Sequence, residues 1–298
     1  MHAGMTEQLS AWASQAACLL RPSPVLPHGE YDLAGGVRTA LAAFLCLTVA
    51  RVAFNLIMMG RSGPSEPCED ATPQEWRLEE VWQACGAICL WALAAWAEAT
   101  GDSPCSALDA GPCAAGWPNV GVSARGAFVL EAQMGWYAHK LVAPWINLAL
   151  FPSIDSALHG MAAFSGSALA YRYDGIGIAV AATTAFAAPP LLGATRLIRP
   201  MGRARGPVAL IGCVVFAGIA VLAPIGVMKG VVVDGLGAAR EAGGAWGVYC
   251  GGVALLAVLY GLQCWWLLGA LRRLRQTEEA GEEGAVQDGR GDEAKKEQ

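Results

Sequence analysis

Charged residues are scarce in this chain. Of its 298 residues, 15% are Asp, Glu, Lys or Arg and 55% are hydrophobic, whereas a water-soluble domain carries about 25% charged residues. That much apolar sequence is more than one soluble core can hide. Histidine is scarcer still: there are four, none at metal-ligand spacing, so no metal site is expected. The ten cysteines are scattered and form no C-x-x-C pair. No Asn-x-Ser/Thr sequon occurs, so glycosylation cannot fix a topology. No stretch interleaves basic and aromatic residues, which excludes a nucleic-acid surface. The Gly-x-Gly at Gly175 and Gly177 lies in or beside an apolar run and is not a nucleotide loop. The apolar runs are continuous rather than alternating, which argues against a β-barrel. No internal repeat is visible, which disfavours a repeat-built transporter.

What is present is a series of apolar runs, several close to the roughly 20 residues a helix needs to cross a bilayer. The sequence therefore predicts an all-α, polytopic membrane bundle of about seven spans, over residues 33–59, 80–98, 124–148, 153–170, 175–198, 207–228 and 245–270. Pro144 is expected to kink the third span, and Pro189-Pro190 to break the fifth. Residues 1–32 read as a lead, 33–270 as the transmembrane domain, and 271–298 as a disordered acidic tail on the cytoplasmic side. The first 30 or so residues lack the layout of a cleaved signal, so the first span is expected to serve as the insertion signal. Arg196, Arg199, Arg203 and Arg205 in one loop, and Arg272, Arg273 and Arg275 after the last span, put both stretches on the cytoplasmic side. Counting back, the N-terminus and the 100–122 loop fall on the opposite side. Cys105 and Cys113 in that loop could pair if it faces an oxidising compartment. Cys85, Cys89, Cys213, Cys250 and Cys264 read as small packing residues, and Trp76 and Trp82 as interfacial anchors.

One stretch departs from this apolar background. Residues 131–159 carry Glu131, Gln133, Tyr137, His139, Lys140, Asp155 and His159 within two expected spans. Ionisable groups are costly in hydrocarbon, so they face a bundle interior and mark function. Asp155 and His159 are four residues apart, on one helix face. His159 could act as a general base, and Asp155 could hold its imidazole in one tautomer. His139 could be a second proton carrier. Lys140, Arg51 or Arg196 could meet phosphates, although Lys140 equally suits the cytoplasmic interface. Gln133 and Tyr137 suit hydrogen bonds between helices. Arg51 could pair with Glu131 or Asp155 inside the bundle.

Four local motifs in chain order resemble those of the TLC-domain family, in its ceramide-synthase branch. R-L-E-E-V-W at 77–82 resembles "K-F-x-E-x-x-W". G-W-P at 116–118 resembles the "W-x-G-Y-P" loop. A-Q-M-G-W-Y-A-H at 132–139 resembles "Q-x-x-F-Y-x-H", and L-H-G-M-A-A at 158–163 stands where the family has "H-H-x-x-T". The resemblance covers about residues 77–196. It implies an all-α TLC-type bundle in the endoplasmic reticulum that N-acylates a long-chain base with acyl-CoA as co-substrate and no other cofactor. Partners would be membrane lipid, and homo- or hetero-oligomers stay open. The sequence departs from the family where the chemistry lies. Gly160 replaces the second histidine of the pair and Ala163 the threonine, and residues 184–188 read T-A-F-A-A where the family has "H-D-x-S-D". The later "L-E-x-x-K" appears only as Leu192, Gly193 and Arg196.

Two functions are therefore expected. One is a divergent sphingoid-base N-acyltransferase with His159, Asp155 and His139 as its catalytic residues and Gln133, Tyr137, Glu131 and Arg51 holding substrate. The other is a non-catalytic protein that binds, senses or moves membrane lipid. The enzyme reading requires His139, Asp155 and His159 to converge on one cavity.

Overall fold

The computed structural model describes residues 25–26, 33–61, 63–64, 71–100, 105–117, 122–186, 221–241, 246–269 and 272. The described chain is helical apart from one short antiparallel pairing, β1 (Val25–Leu26) with β2 (Val122–Ser123). Eight helices follow in order: α1 (Leu33–Met59), α2 (Pro73–Ala99), α3 (Gly111–Gly116), α4 (Ala124–Val142), α5 (Ile154–Arg172), α6 (Ile176–Ala185), α7 (Val221–Glu241) and α8 (Trp246–Gly269). Four of them, α1, α2, α7 and α8, are long and apolar enough to cross a bilayer. Their outward faces show why: Val37, Leu41, Val49 and Ile57 on α1, and Val258, Trp265 and Leu268 on α8, are exposed. Apolar belts of this extent suit lipid rather than water.

Local chemistry sets the ends. α2 begins at a capping box: Thr72 Oγ1 accepts from the Glu75 N–H at 3.3 Å, and the Thr72 N–H returns to Glu75 Oε2 at 2.7 Å. Pro73 occupies the first helical position, where its missing N–H costs nothing. The helix therefore starts seven residues before the expected span at 80, and Arg61 pairs with Glu75 to tie the loop to it. α4 is capped by Ser123, whose Oγ accepts from the Gly126 N–H at 2.9 Å. Pro144 ends α4 rather than kinking it. The chain tightens into a 3₁₀ turn, Ala143–Ile146, and leaves through Asn147 in the left-handed region at φ 55°. α7 continues to Glu241, past the expected end at 228, through a π-helical turn over Gly230–Asp234. The expected Pro189-Pro190 break, the 196–205 loop and, apart from Arg272, the 271–298 tail lie outside the described residues.

α4 is the hub, in contact with α1, α2, α5 and α6. Its approach to α1 is close because Gly135 has no side chain: a Cβ there would stand 2.7 Å from that of Ala43. α5 runs antiparallel to α4, since Tyr137 meets His159 while Glu131 accepts from Tyr171 at 2.9 Å. One apolar core joins α4 to α2, α5 and α6 through Leu130, Ala94, Tyr171 and Val180. A second joins the 105–117 segment to α6, α7 and α8 through Cys113, Trp117, Val227 and Tyr249.

Cys105 and Cys113 are joined as a disulfide, with Cα atoms 5.7 Å apart. Two of the other cysteines depart from expectation. Cys85 and Cys89 face outward, so they are not core packing residues. Trp82 is likewise no surface anchor. It stacks inside the bundle against Phe54 and Trp136, at 5.5 and 6.0 Å between centroids.

Candidate functional site

Two cavities meet at the Tyr137–His159 pair. The first, a chamber, lies between α5, α6 and α8, with Gln133 and Tyr137 of α4 at one end and Trp117 and Val231 at the other. It measures about 920 Å³ including the space open to its surroundings. Its walls are mostly Ala, Gly, Val and Leu, and Ser167 and Thr183 are among the few polar groups. The second, a vestibule of about 1110 Å³ measured the same way, mixes charged and apolar lining and is the more polar of the two. Glu79, Glu80, Gln83, Lys140, Asp155 and Trp266 line it. Tyr137 and His159 belong to both walls.

The period of α4 sorts its polar residues between these spaces. Gln133, Tyr137 and Lys140 repeat at helical spacing and face the cavities. Gln133 Oε1 accepts from Thr183 Oγ1 at 2.8 Å, which fixes α6 against α4. Tyr137 packs edge-on to His159 with centroids 5.6 Å apart. Glu131 and His139 are eight residues apart on another face. Glu131 binds the Tyr171 hydroxyl, and His139 Nδ1 lies 3.3 Å from Thr48 Oγ1. The His139 ring sits among Phe44, Trp82 and Trp136. Neither residue lines either cavity.

His159 is 6% exposed, and its Nδ1 is buried with no hydrogen-bond partner among the described residues. The expected Asp155–His159 hydrogen bond is not formed. The Asp155 carboxylate instead accepts from the Trp266 indole N–H, while the Trp266 ring stacks on His159 at 5.2 Å. Trp266 thus stands where a triad would place a direct contact. The three-residue convergence of His139, Asp155 and His159 is absent: Asp155 and His159 share the vestibule and His139 stands apart. Trp266 was missed because it lies 111 residues from Asp155, in a span that reads as uniformly apolar.

Arg51 is held by a buried ion pair, although its Nη1 has no hydrogen-bond partner among the described residues. Its Nη2 donates to Glu79 at 2.6 Å and its Nε to the Leu148 carbonyl at 3.0 Å. The guanidinium also lies over Phe54 and Trp82. Glu79 further accepts from Gln83 at 2.8 Å and from the Leu150 N–H at 3.4 Å. Arg51 therefore pairs with Glu79, not with Glu131 or Asp155, and of the two Glu79 lines the vestibule. The sequence signal for Glu79 was its place in R-L-E-E-V-W. Among the described residues no group of three or more His, Cys, Asp or Glu is arranged to hold a metal ion.

The arrangement can receive an amphiphile. A hydrocarbon tail has an apolar chamber, a polar head has a charged vestibule, and the two spaces share one aromatic–imidazole boundary. Comparison with family models, with curated proteins and with solved structures returns no match.

Proposed function

We propose that this chain is a multi-pass membrane protein of lipid metabolism, TLC-like in its motifs, that binds a single-chain amphiphile with its tail in the chamber and its head in the vestibule. The observation that carries this reading is the abutment of the two cavities at Tyr137 and His159. An apolar slot ending in a cluster of charges matches the two halves of a lipid. The expected seven-span topology agrees with it. The disulfide-closed 105–113 segment packs at the chamber's far end, while Arg61, Lys140 and Arg272 belong to the vestibule side, the side that basic residues mark as cytoplasmic. The resemblance adds the endoplasmic reticulum as the membrane.

The direct test is mass spectrometry of lipid retained after extraction in mild detergent, on wild type and on Gly166→Phe. Gly166 lines the chamber, and a Cβ there meets nothing within 4 Å, so a side chain can start there without a clash and its ring is added at the wall of the tail's path. Retention of a stoichiometric single-chain lipid by wild type and its loss in the variant support the reading. Equal retention by both refutes it.

A second reading, N-acylation of a sphingoid base by acyl-CoA, is favoured by one observation: the buried Nδ1 of His159 at the boundary, which has no hydrogen-bond partner among the described residues. In that reaction the amine nitrogen attacks the thioester carbonyl and loses its proton to the imidazole. The C–S bond then breaks, and the departing thiolate takes a proton. Assay of an acyl-CoA panel with a long-chain base in nanodiscs, comparing wild type with His159→Ala, decides it. Product that disappears with the imidazole supports acyl transfer, and no product from wild type leaves the protein a lipid binder.

A further inference from the structure

The chamber has a defined far end, and we propose that Trp117, braced by Tyr249, is the stop that sets the length of the hydrocarbon it accepts, at about 16 carbons. This rests on the amphiphile reading above. The lining residues of α5 share one face, from His159 through Ala163, Gly166 and Ala170 to Tyr173. His159 and Tyr173 are fourteen residues apart. At about 1.5 Å per residue that is roughly 21 Å, and an extended chain advancing roughly 1.3 Å per methylene covers it in about 16 carbons. Along this path the face of α5 that carries Ala163, Gly166 and Ala170, and the facing residue Gly252 of α8, present small side chains, with Leu169 a larger aliphatic residue beside them in the wall.

At the end the wall changes character. Trp117 is 5% exposed, and its indole N–H donates to the Tyr173 carbonyl at 2.7 Å. Its ring lies 5.0 Å from that of Tyr249. The Tyr249 hydroxyl donates to the Val231 carbonyl, in the π-helical turn of α7, at 2.7 Å. That hydroxyl occupies the place a side chain at Gly235 would take, so the ring cannot retreat past α7 without moving backbone. The segment bearing Trp117 is itself anchored. The Cys105–Cys113 disulfide closes it four residues upstream, and the Ala107 N–H donates to Glu98 of α2 at 2.7 Å. A stop tied to α5, α7, α8 and α2 is stiff enough to discriminate chain lengths, because packed interiors do not deform continuously.

The experiment is competition among lysophosphatidylcholines with saturated chains of about 12 to about 20 carbons, supplied at equal concentration to the full-length protein in nanodiscs and read by native mass spectrometry. Wild type is expected to select chains near 16 carbons. Trp117→Ala opens space beyond the stop and shifts the maximum to longer chains, by about two to four carbons. Gly252→Leu gives a check in the opposite direction. A Cβ at Gly252 meets nothing within 4 Å, and it stands one helical turn above Tyr249, so a leucine there shortens the accepted chain by about three carbons. If Trp117→Ala fails to fold, Gly252→Leu decides alone. A bound lipid whose length distribution is the same in wild type and variants overturns the stop and leaves the amphiphile reading standing. No lysolipid bound to wild type overturns both.

Discussion

Glu79→Ala should be among the most destabilising single changes in the bundle, and the reason is electrostatic. Arg51 is 2% exposed and its charge is balanced by one carboxylate, that of Glu79. Removing the carboxylate leaves a buried guanidinium with the Leu148 carbonyl and two aromatic faces as its remaining partners. Breaking a buried ion pair from one side costs about 3–5 kcal/mol. The change also strands the Leu150 N–H and the Gln83 amide, both now bonded to Glu79. At roughly 2–4 °C per kcal/mol for a chain of this size, the thermal midpoint should fall by about 6–20 °C. The double variant Arg51→Met with Glu79→Leu removes both charges and keeps the volume, so it should recover most of the loss, since isosteric replacement of a buried pair is near neutral. Size-exclusion chromatography of detergent-solubilised protein after a temperature series measures all three. A Glu79→Ala midpoint within about 2 °C of wild type, or a double variant no better than the single, refutes the reasoning.

Three further outcomes follow from the same geometry. Trp266→Phe keeps the ring on His159 but removes the hydrogen bond to the Asp155 carboxylate, and should cost about 1.5–3 kcal/mol in a denaturant titration. Replacing Cys105 and Cys113 together with Ser should cost about 2–3 kcal/mol, the loop-closure value for so short a ring, and unreduced wild type should show no mass gain at these two positions with a thiol-reactive tag. Gly166→Phe should leave the thermal midpoint in lipid-free detergent within about 2 °C of wild type while abolishing lipid retention, because open space surrounds that position.

Much of the frame was legible because its signals are local. α1 runs over the residues that the first apolar run marks, and α5 and α8 begin and end within two residues of expectation. The Thr72-Pro73-x-Glu75 capping box marks the true start of α2, but the eye follows hydrophobicity and begins the span seven residues late. The pairing of side chains was less legible. Helical spacing says which face a residue occupies, not which helix will cover that face. Arg51 therefore found Glu79, 28 residues away, while Glu131 found Tyr171. The polar cluster on α4 was visible in the sequence as a single group. The 3.6-residue period divides it, sending Gln133, Tyr137 and Lys140 to the cavities and Glu131 and His139 elsewhere, and this division could have been read from spacing alone. The position of Trp266 could not, since it depends on α8 returning beside α5.

Occupancy of the chamber by a lipid tail is read directly by photolabelling with a single-chain phosphocholine carrying a diazirine at mid-chain, followed by peptide mapping. Labels are expected on the chamber walls near Gly166 and Leu256, vanishing when unlabelled lipid competes, and none around His139. Labels spread evenly over the outward faces of α1 and α8, unchanged by competition or by Gly166→Phe, would contradict it.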